Sequence, residues 1–199
     1  MRRGDLEAFG EVLKSVRACG VVLVTGVDES RRACALGLAI AAVVDGRRAA
    51  LLECDLAKPS LAETLGLALV PGLHEYLRWE AEAGQILQPM MLAGAESGKV
   101  ANPLVCIAAG KPTSQAPTLL ASQSFRHATA KLRAAYDFVV LAGPSAESDA
   151  AQLGNVAAAA DASLGCIERA GATRRSAKKL RRGLRRLPTR FAGLVAATD

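Results

Sequence analysis

Histidine and aromatic side chains are scarce in this chain of 199 residues. There are two histidines, and Phe, Trp and Tyr together make up 4%. His74 and His127 are far apart in sequence and have no ligand-like neighbours, so no metal site is expected. With so few rings, the core must be built from Ala, Leu and Val, which dominate a hydrophobic share of 51%. Long uncharged runs are missing too. Nothing approaches the roughly 18 apolar residues of a membrane-spanning helix. The start, Met1-Arg2-Arg3-Gly4-Asp5-Leu6-Glu7, has no apolar segment behind it, so a secretory signal is not expected. No cysteine pair has CxxC spacing. Cys19, Cys34, Cys54, Cys106 and Cys166 each lie among apolar residues and read as buried free thiols, which implies a reducing cytoplasm.

Acidic residues are absent from one segment. From Arg174 to Arg190 there are nine basic residues and no acidic one. The chain carries +6, so removing those nine leaves about −3, and the basic character is local. Arg174, Arg175, Lys178, Lys179, Arg181, Arg182, Arg185 and Arg186 surround Ala177, Leu180, Leu184 and Leu187, which recur at helical spacing. The apolar stripe should pack on a sheet while the charges face water. The charged face is either a solvated surface or an electrostatic patch for anionic lipid headgroups, nucleic acid or an acidic protein tail. No aromatic residue lies there to stack on bases, so sequence-specific nucleic-acid binding is not supported.

What the sequence does contain is regular alternation of apolar runs and helical patterns. Val21–Thr25 is an apolar, β-branched run of strand length, and Gly20 before it ends a helix predicted over 5–18. A long apolar helix follows to Val44, with Asp28, Glu29 or Ser30 as its N-cap. Further strands are predicted at Arg47–Cys54, Leu104–Ala108, Asp137–Leu141, Ala162–Ile167 and Phe191–Ala197. Helices are predicted near 60–65, at Leu73–Arg78, Leu119–Ala135 and Ser148–Ala160, and over the basic segment Thr173–Leu187. Residues 93–103 read as loop. The pattern implies a three-layer α/β fold, a parallel sheet flanked by helices, in one domain. Ligands of such sheets sit beyond the carboxyl ends of the strands. That directs attention to Gly26–Arg32, Asp55–Ser60, Ala108–Pro112, Ala142–Ser145, Glu168–Thr173 and Ala197–Asp199.

Three stretches carry a resemblance. They are Leu51-Leu-Glu-Cys-Asp-Leu-Ala-Lys-Pro-Ser-Leu61, Ala108-Ala-Gly-Lys-Pro-Thr-Ser-Gln-Ala-Pro-Thr-Leu-Leu-Ala-Ser122 and Tyr136-Asp-Phe-Val-Val-Leu-Ala-Gly-Pro-Ser145. In register along nearly the whole chain, they resemble the bacterial tyrosine kinases of capsule and exopolysaccharide synthesis. Those kinases belong to the MinD/ParA group of deviant P-loop ATPases. The resemblance implies a P-loop NTPase-like fold of the deviant Walker A class.

The departures fall on the chemistry. The family's Pro-Gly-Glu-Gly-Lys-Ser/Thr is replaced by Asp28-Glu-Ser-Arg-Arg-Ala33. Glycines let backbone N–H groups curl around phosphate, lysine reaches the β- and γ-phosphates, and the hydroxyl binds Mg²⁺. Here only Gly26, Ser30, Arg31 and Arg32 remain as degenerate counterparts, and Asp28 and Glu29 would repel phosphate. Arginine does not replace that lysine conservatively. Glu53 and Asp55 fall on the Walker A′ acidic pair, and Asp55 keeps its identity as the residual catalytic carboxylate. The plain reading makes both solvated strand-end carboxylates, paired with Arg31, Arg32 or Lys58. Ala142 stands where Walker B has its Mg²⁺-organising Asp. Ala197 or Thr198 takes the place of an adenine-contacting Asn. The oligomerisation motif is reduced to Glu7-x-x-Gly10-x-x-Leu13, and Tyr76 and Tyr136 are the only tyrosines.

The resemblance therefore implies a degenerate, non-catalytic regulator of exopolysaccharide or capsule biosynthesis or export. It implies a membrane chain-length-determinant partner and a cytoplasmic place, peripheral to the membrane if the basic helix binds it. No cofactor is expected, though ATP and Mg²⁺ would apply if the site still worked. The alternatives are an active ATP-dependent tyrosine kinase or ATPase with an unorthodox loop, and a MinD/ParA-like adaptor using the basic helix on membrane or DNA.

Overall fold

In the computed structural model of the chain, residues 3–27, 29–92, 102–147, 150–169 and 173–197 are described. Seven strands form one sheet in the order β3-β4-β2-β5-β1-β6-β7. They are β1 (Val21–Gly26), β2 (Ala49–Glu53), β3 (Gln88–Met90), β4 (Leu104–Ile107), β5 (Phe138–Ala142), β6 (Ala162–Glu168) and β7 (Arg190–Ala197). All neighbours are parallel except β3, which runs antiparallel to β4 at one edge.

The apolar runs are continuous because both faces of the sheet are covered. Side chains alternate between the faces. In β1, Val22 and Val24 enter one core and Val21 and Leu23 the other. In β5, Phe138, Val140 and Ala142 go with the first face and Val139 and Leu141 with the second. The first face is covered by α1 (Arg3–Ser15) and α2 (Ser30–Val44). The second is covered by the segment 73–86, with its short helices α4 (Leu73–Leu77) and α5 (Ala83–Ile86), and by α6 (Ala116–Ala121), α7 (Gln123–Ala135) and α8 (Ala150–Ala157). The helix α9 (Arg174–Leu184) packs on β6 and β7. The last helix, α3 (Leu61–Leu65), follows the loop after β2.

The predicted alternation is present, with three differences. The helix expected over Leu119–Ala135 is two helices. Ser122 ends α6 and caps α7, its Oγ accepting from the Phe125 amide at 3.2 Å. The short elements α5 and β3 were not predicted. Gln88-Pro-Met has no alternation, and proline is tolerated only because β3 is an edge strand. The sheet is therefore mixed at that edge rather than wholly parallel. Most of the loop expected at 93–103, and the start of the helix expected at Ser148, lie outside the described residues.

Candidate functional site: a closed arginine–carboxylate cluster

The order β2-β5-β1 brings the carboxyl ends of three strands side by side. Ala142 of β5 pairs with Val24 on one side and Glu53 on the other. The loop after β5 is tied across the end of β1. Gly143 N donates to Val24 O at 2.8 Å, Thr25 Oγ1 to Pro144 O at 2.6 Å, and Ala146 N to Gly26 O at 2.8 Å. Gly26 belongs to this packing. A Cβ there would lie 2.4 Å from the Cys166 carbonyl oxygen of β6. Its small size is required by strand contact, whatever else the loop does.

The helix α2 starts at Ser30, with Glu29 as N-cap in a helical backbone conformation and no side-chain capping bond. Of the three N-cap candidates, Glu29 takes the position but not the capping role, and Asp28 lies outside the described residues. The Glu29 carboxylate turns instead to arginines. Its Oε1 is 3.4 Å from Arg31 Nη1, and its Oε2 pairs with Arg32 Nη1.

Arg31 is the decisive residue. Its side chain is 5% exposed, and Nη2 donates to Asp55 Oδ2 at 3.0 Å, with the Asp55 side chain 8% exposed. Arg32 Nη2 lies 3.8 Å from the same oxygen and donates to the Lys58 carbonyl at 2.9 Å. Asp55 Oδ1 accepts from the Lys58 amide at 3.1 Å. Among the described residues, two guanidinium groups thus meet two carboxylates, Glu29 and Asp55. Both Asp55 oxygens are engaged. Burying an arginine is costly unless it is paired and hydrogen-bonded, and here the pairing is supplied from within the chain.

Glu53 corrects an expectation. It is not a solvated carboxylate, and it pairs with none of Arg31, Arg32 or Lys58. It is 2% exposed. Oε1 accepts from the Ser60 and Leu61 amides at 2.7 and 2.9 Å, and Oε2 from the Ala109 amide at 3.2 Å. Burial pushes its pKa up, and the three amides, with Arg32 nearby, pull against that. Its work is to latch the 60–61 turn and the end of β4 to the end of β2. Asp55 is likewise buried rather than solvated, although its expected pairing with Arg31 and Arg32 is present. Lys58 contributes backbone groups only, so the loop brace predicted for Lys58-Pro-Ser60 is made by the main chain. Between the two carboxylates, the fully buried Cys54 thiol is pushed well above its ordinary value by burial, then by Glu53 and Asp55. All five cysteines are free and buried.

A second carboxylate latch escaped sequence reading. Glu75, 8% exposed, accepts from the amides of Gly72 at 2.8 Å and Lys111 at 3.0 Å, and lies 3.2 Å from His74 Nδ1. A Cβ on Gly110, whose φ is +87°, would lie 2.2 Å from its Oε2. Only the glycine in that loop hinted at a close approach. Among the described residues, no group of three or more His, Cys, Asp and Glu could hold a metal ion.

The basic helix is a separate feature. Thr173 caps α9, its Oγ1 accepting from Ser176 N at 3.0 Å. Leu180 and Leu184 are buried, and Ala177 and Leu187 are half-buried. Arg174, Arg175, Lys178, Lys179, Arg181, Arg182, Arg185 and Arg186 are all exposed. Lys179 pairs with Glu147 at 2.9 Å, and the Arg185 guanidinium lies 5.8 Å from the centre of the Phe191 ring. The structure thus gathers Gly26, Ser30, Arg31, Arg32 and Asp55 at the ends of β1 and β2, and places the eight basic residues on β6 and β7.

No protein-family model matches the chain, and no curated protein matches it in sequence. Solved structures do match. The kinase domain of VpsO superposes with a TM-score of 0.83 at 22% identity, over 98% of this chain and 93% of that one. The kinase domain of the Escherichia coli tyrosine kinase ETK gives 0.80 at 16% identity, over 98% and 76%. The cell-division ATPase MinD of Pyrococcus furiosus gives 0.62 at 16%, over 88% and 70%. The chain has the fold of the bacterial tyrosine-kinase domains, a P-loop NTPase fold. At these identities the likeness is one of fold, and the side chains must speak for the chemistry.

Asp55 is bound by Arg31, and Glu29 stands at the start of α2. Ala142 offers no carboxylate at the end of β5. Leu13 of α1 is 4% exposed and belongs to the core.

Proposed function

We propose that this protein is a non-catalytic relative of the exopolysaccharide tyrosine kinases, in which Arg31 occupies by its guanidinium the place of the catalytic cation at Asp55. The buried Arg31–Asp55 pair carries this reading. A working site needs its carboxylates available to metal and its loop available to phosphate. Here the same positions form an ion-pair cluster that holds α2 to the end of β2. The fold then serves as a binding surface, and by resemblance its role is to regulate polysaccharide assembly or export beside a membrane chain-length-determinant protein.

Deletion and complementation test this. Loss of the gene is expected to change polysaccharide yield or chain length, and a Ser30→Ala allele, lacking the hydroxyl nearest the metal position, should restore it fully. A deletion without a polysaccharide phenotype, or a stably expressed Ser30→Ala protein that fails to complement, contradicts the proposal.

The exposed face of α9 favours a second reading, attachment to an anionic membrane surface. Eight cations near such a surface, at roughly 1 kcal/mol each, are a substantial attraction. Pelleting with phosphatidylglycerol vesicles should be lost at high salt and on replacing Arg181, Arg182, Arg185 and Arg186 by Ala. Binding indifferent to both would dismiss it.

A further inference from the structure

Between α8 and α9 the surface opens into a groove of about 520 Å³. Its lining includes Leu153 of α8 and Leu180 and Leu184 of α9, which are 5%, 4% and 1% exposed. Two glycines also line it, Gly154 and Gly183, and a Cβ on either would meet no atom within 4 Å. Glycines on neighbouring helices usually allow close approach. Here they leave the space open instead. The rest of the lining includes Arg182 and Arg186, both exposed, and the ion pair of Lys179 with Glu147. A further open region of about 880 Å³ is lined by Arg182 and Arg186 together with Arg174, Lys178, Arg181 and Arg185.

Among the described lining residues, Lys179, Arg182 and Arg186 outnumber the one carboxylate, Glu147, and apolar lining beside them calls for a ligand with an apolar body and an anionic end. The volume falls in the range of small-molecule sites, about 300–1,000 Å³. A partner helix is about 10 Å wide with its side chains. A single hydrocarbon chain needs far less width. We infer that the groove takes one acyl chain of an anionic lipid, with the headgroup phosphate against Arg182 and Arg186. The inference rests on the membrane reading of α9 and adds a specific chain-binding site to it. Charge attraction alone would hold the protein loosely at any anionic surface. Chain capture would make the attachment saturable and dependent on groove shape.

The test uses lysophosphatidylglycerol with a 12-carbon chain, titrated below its micelle concentration into the full chain. Saturable one-to-one binding is expected, at least tenfold tighter than for the choline analogue, with no binding of inorganic phosphate at the same concentration. Gly154→Leu and Gly183→Leu fill the groove at helical positions where leucine is favourable and meets no clash, so both variants should fold. Each is expected to weaken binding at least tenfold and to leave a weaker vesicle pelleting that rests on charge and is still lost at high salt. Arg182→Gln with Arg186→Gln should weaken both. Absence of one-to-one binding by the wild type, or unchanged binding by both leucine variants, overturns the groove. Loss of pelleting with one-to-one binding preserved supports the groove and removes the membrane reading instead.

Discussion

Arg31 and Asp55 form a buried ion pair between the first turn of α2 and the loop after β2. A P-loop lysine reaches outward to phosphate. Arg31 turns inward, and its planar fork meets a carboxylate that would otherwise be left buried and charged. Removing either partner leaves the other with longer ion pairs, Arg32 at 3.8 Å from Asp55 or Glu29 at 3.4 Å from Arg31, and the loss of a buried partner costs up to about 3–5 kcal/mol. Arg31→Ala and Asp55→Ala should each be strongly destabilising in denaturant unfolding. The double variant should be less destabilised than the sum, with a coupling of about 1–3 kcal/mol. Additivity within about 0.5 kcal/mol would mean that the pair does not hold the site closed. That the segment after β1 holds arginines rather than a lysine, and that position 142 has no carboxylate, was legible in the sequence. The direction of Arg31 was not, because adjacent arginines at a helix start are equally compatible with solvent, phosphate or an internal partner.

At the level of elements, buried or half-buried carboxylates bind backbone amides to lock strand ends together. Asp161, at the start of β6, accepts from Gly20 N at 2.8 Å and Val21 N at 2.9 Å, and pairs with Arg133 of α7. Burial pushes its pKa up, but Arg133 and the two amides outweigh it and the net shift is downward. A lowered carboxylate stabilises the fold above its ordinary pKa, and that contribution is lost as pH falls through the folded value. Glu53, shifted upward by burial, acts in the opposite sense. Its contribution is present at low pH and is lost as pH rises through its raised value. Asp161→Asn should therefore lower stability at neutral pH by about 1–2 kcal/mol and flatten the loss seen below about pH 5, measured by urea unfolding across pH. An unchanged acid limb would remove Asp161 from that role. The long periodic elements were legible because both faces of the sheet demand apolar side chains. The latches were not, because each pairs a carboxylate with amides distant in sequence, as Glu53 does with Ala109. Likewise α5 and β3 are short and defined by contact, and the break at Ser122 turns on one hydroxyl.

Across the whole molecule, one seven-stranded sheet of the P-loop NTPase fold separates two cores. No helix among the described residues is long and apolar enough to cross a membrane. Charge is divided between an arginine–carboxylate cluster at the ends of β1 and β2 and a basic helix packed on β6 and β7. The central claim is that the cluster excludes Mg·ATP. A ligand at 100 times its dissociation constant stabilises the native state by about 2.7 kcal/mol. For a chain near 200 residues that amounts to roughly 5–10 °C in midpoint. Thermal unfolding with and without millimolar Mg·ATP is therefore the most direct measurement. The midpoint should stay unchanged within about 1 °C, far below the shift expected of a bound ligand. A rise of several degrees, abolished by Asp55→Ala, would contradict the account.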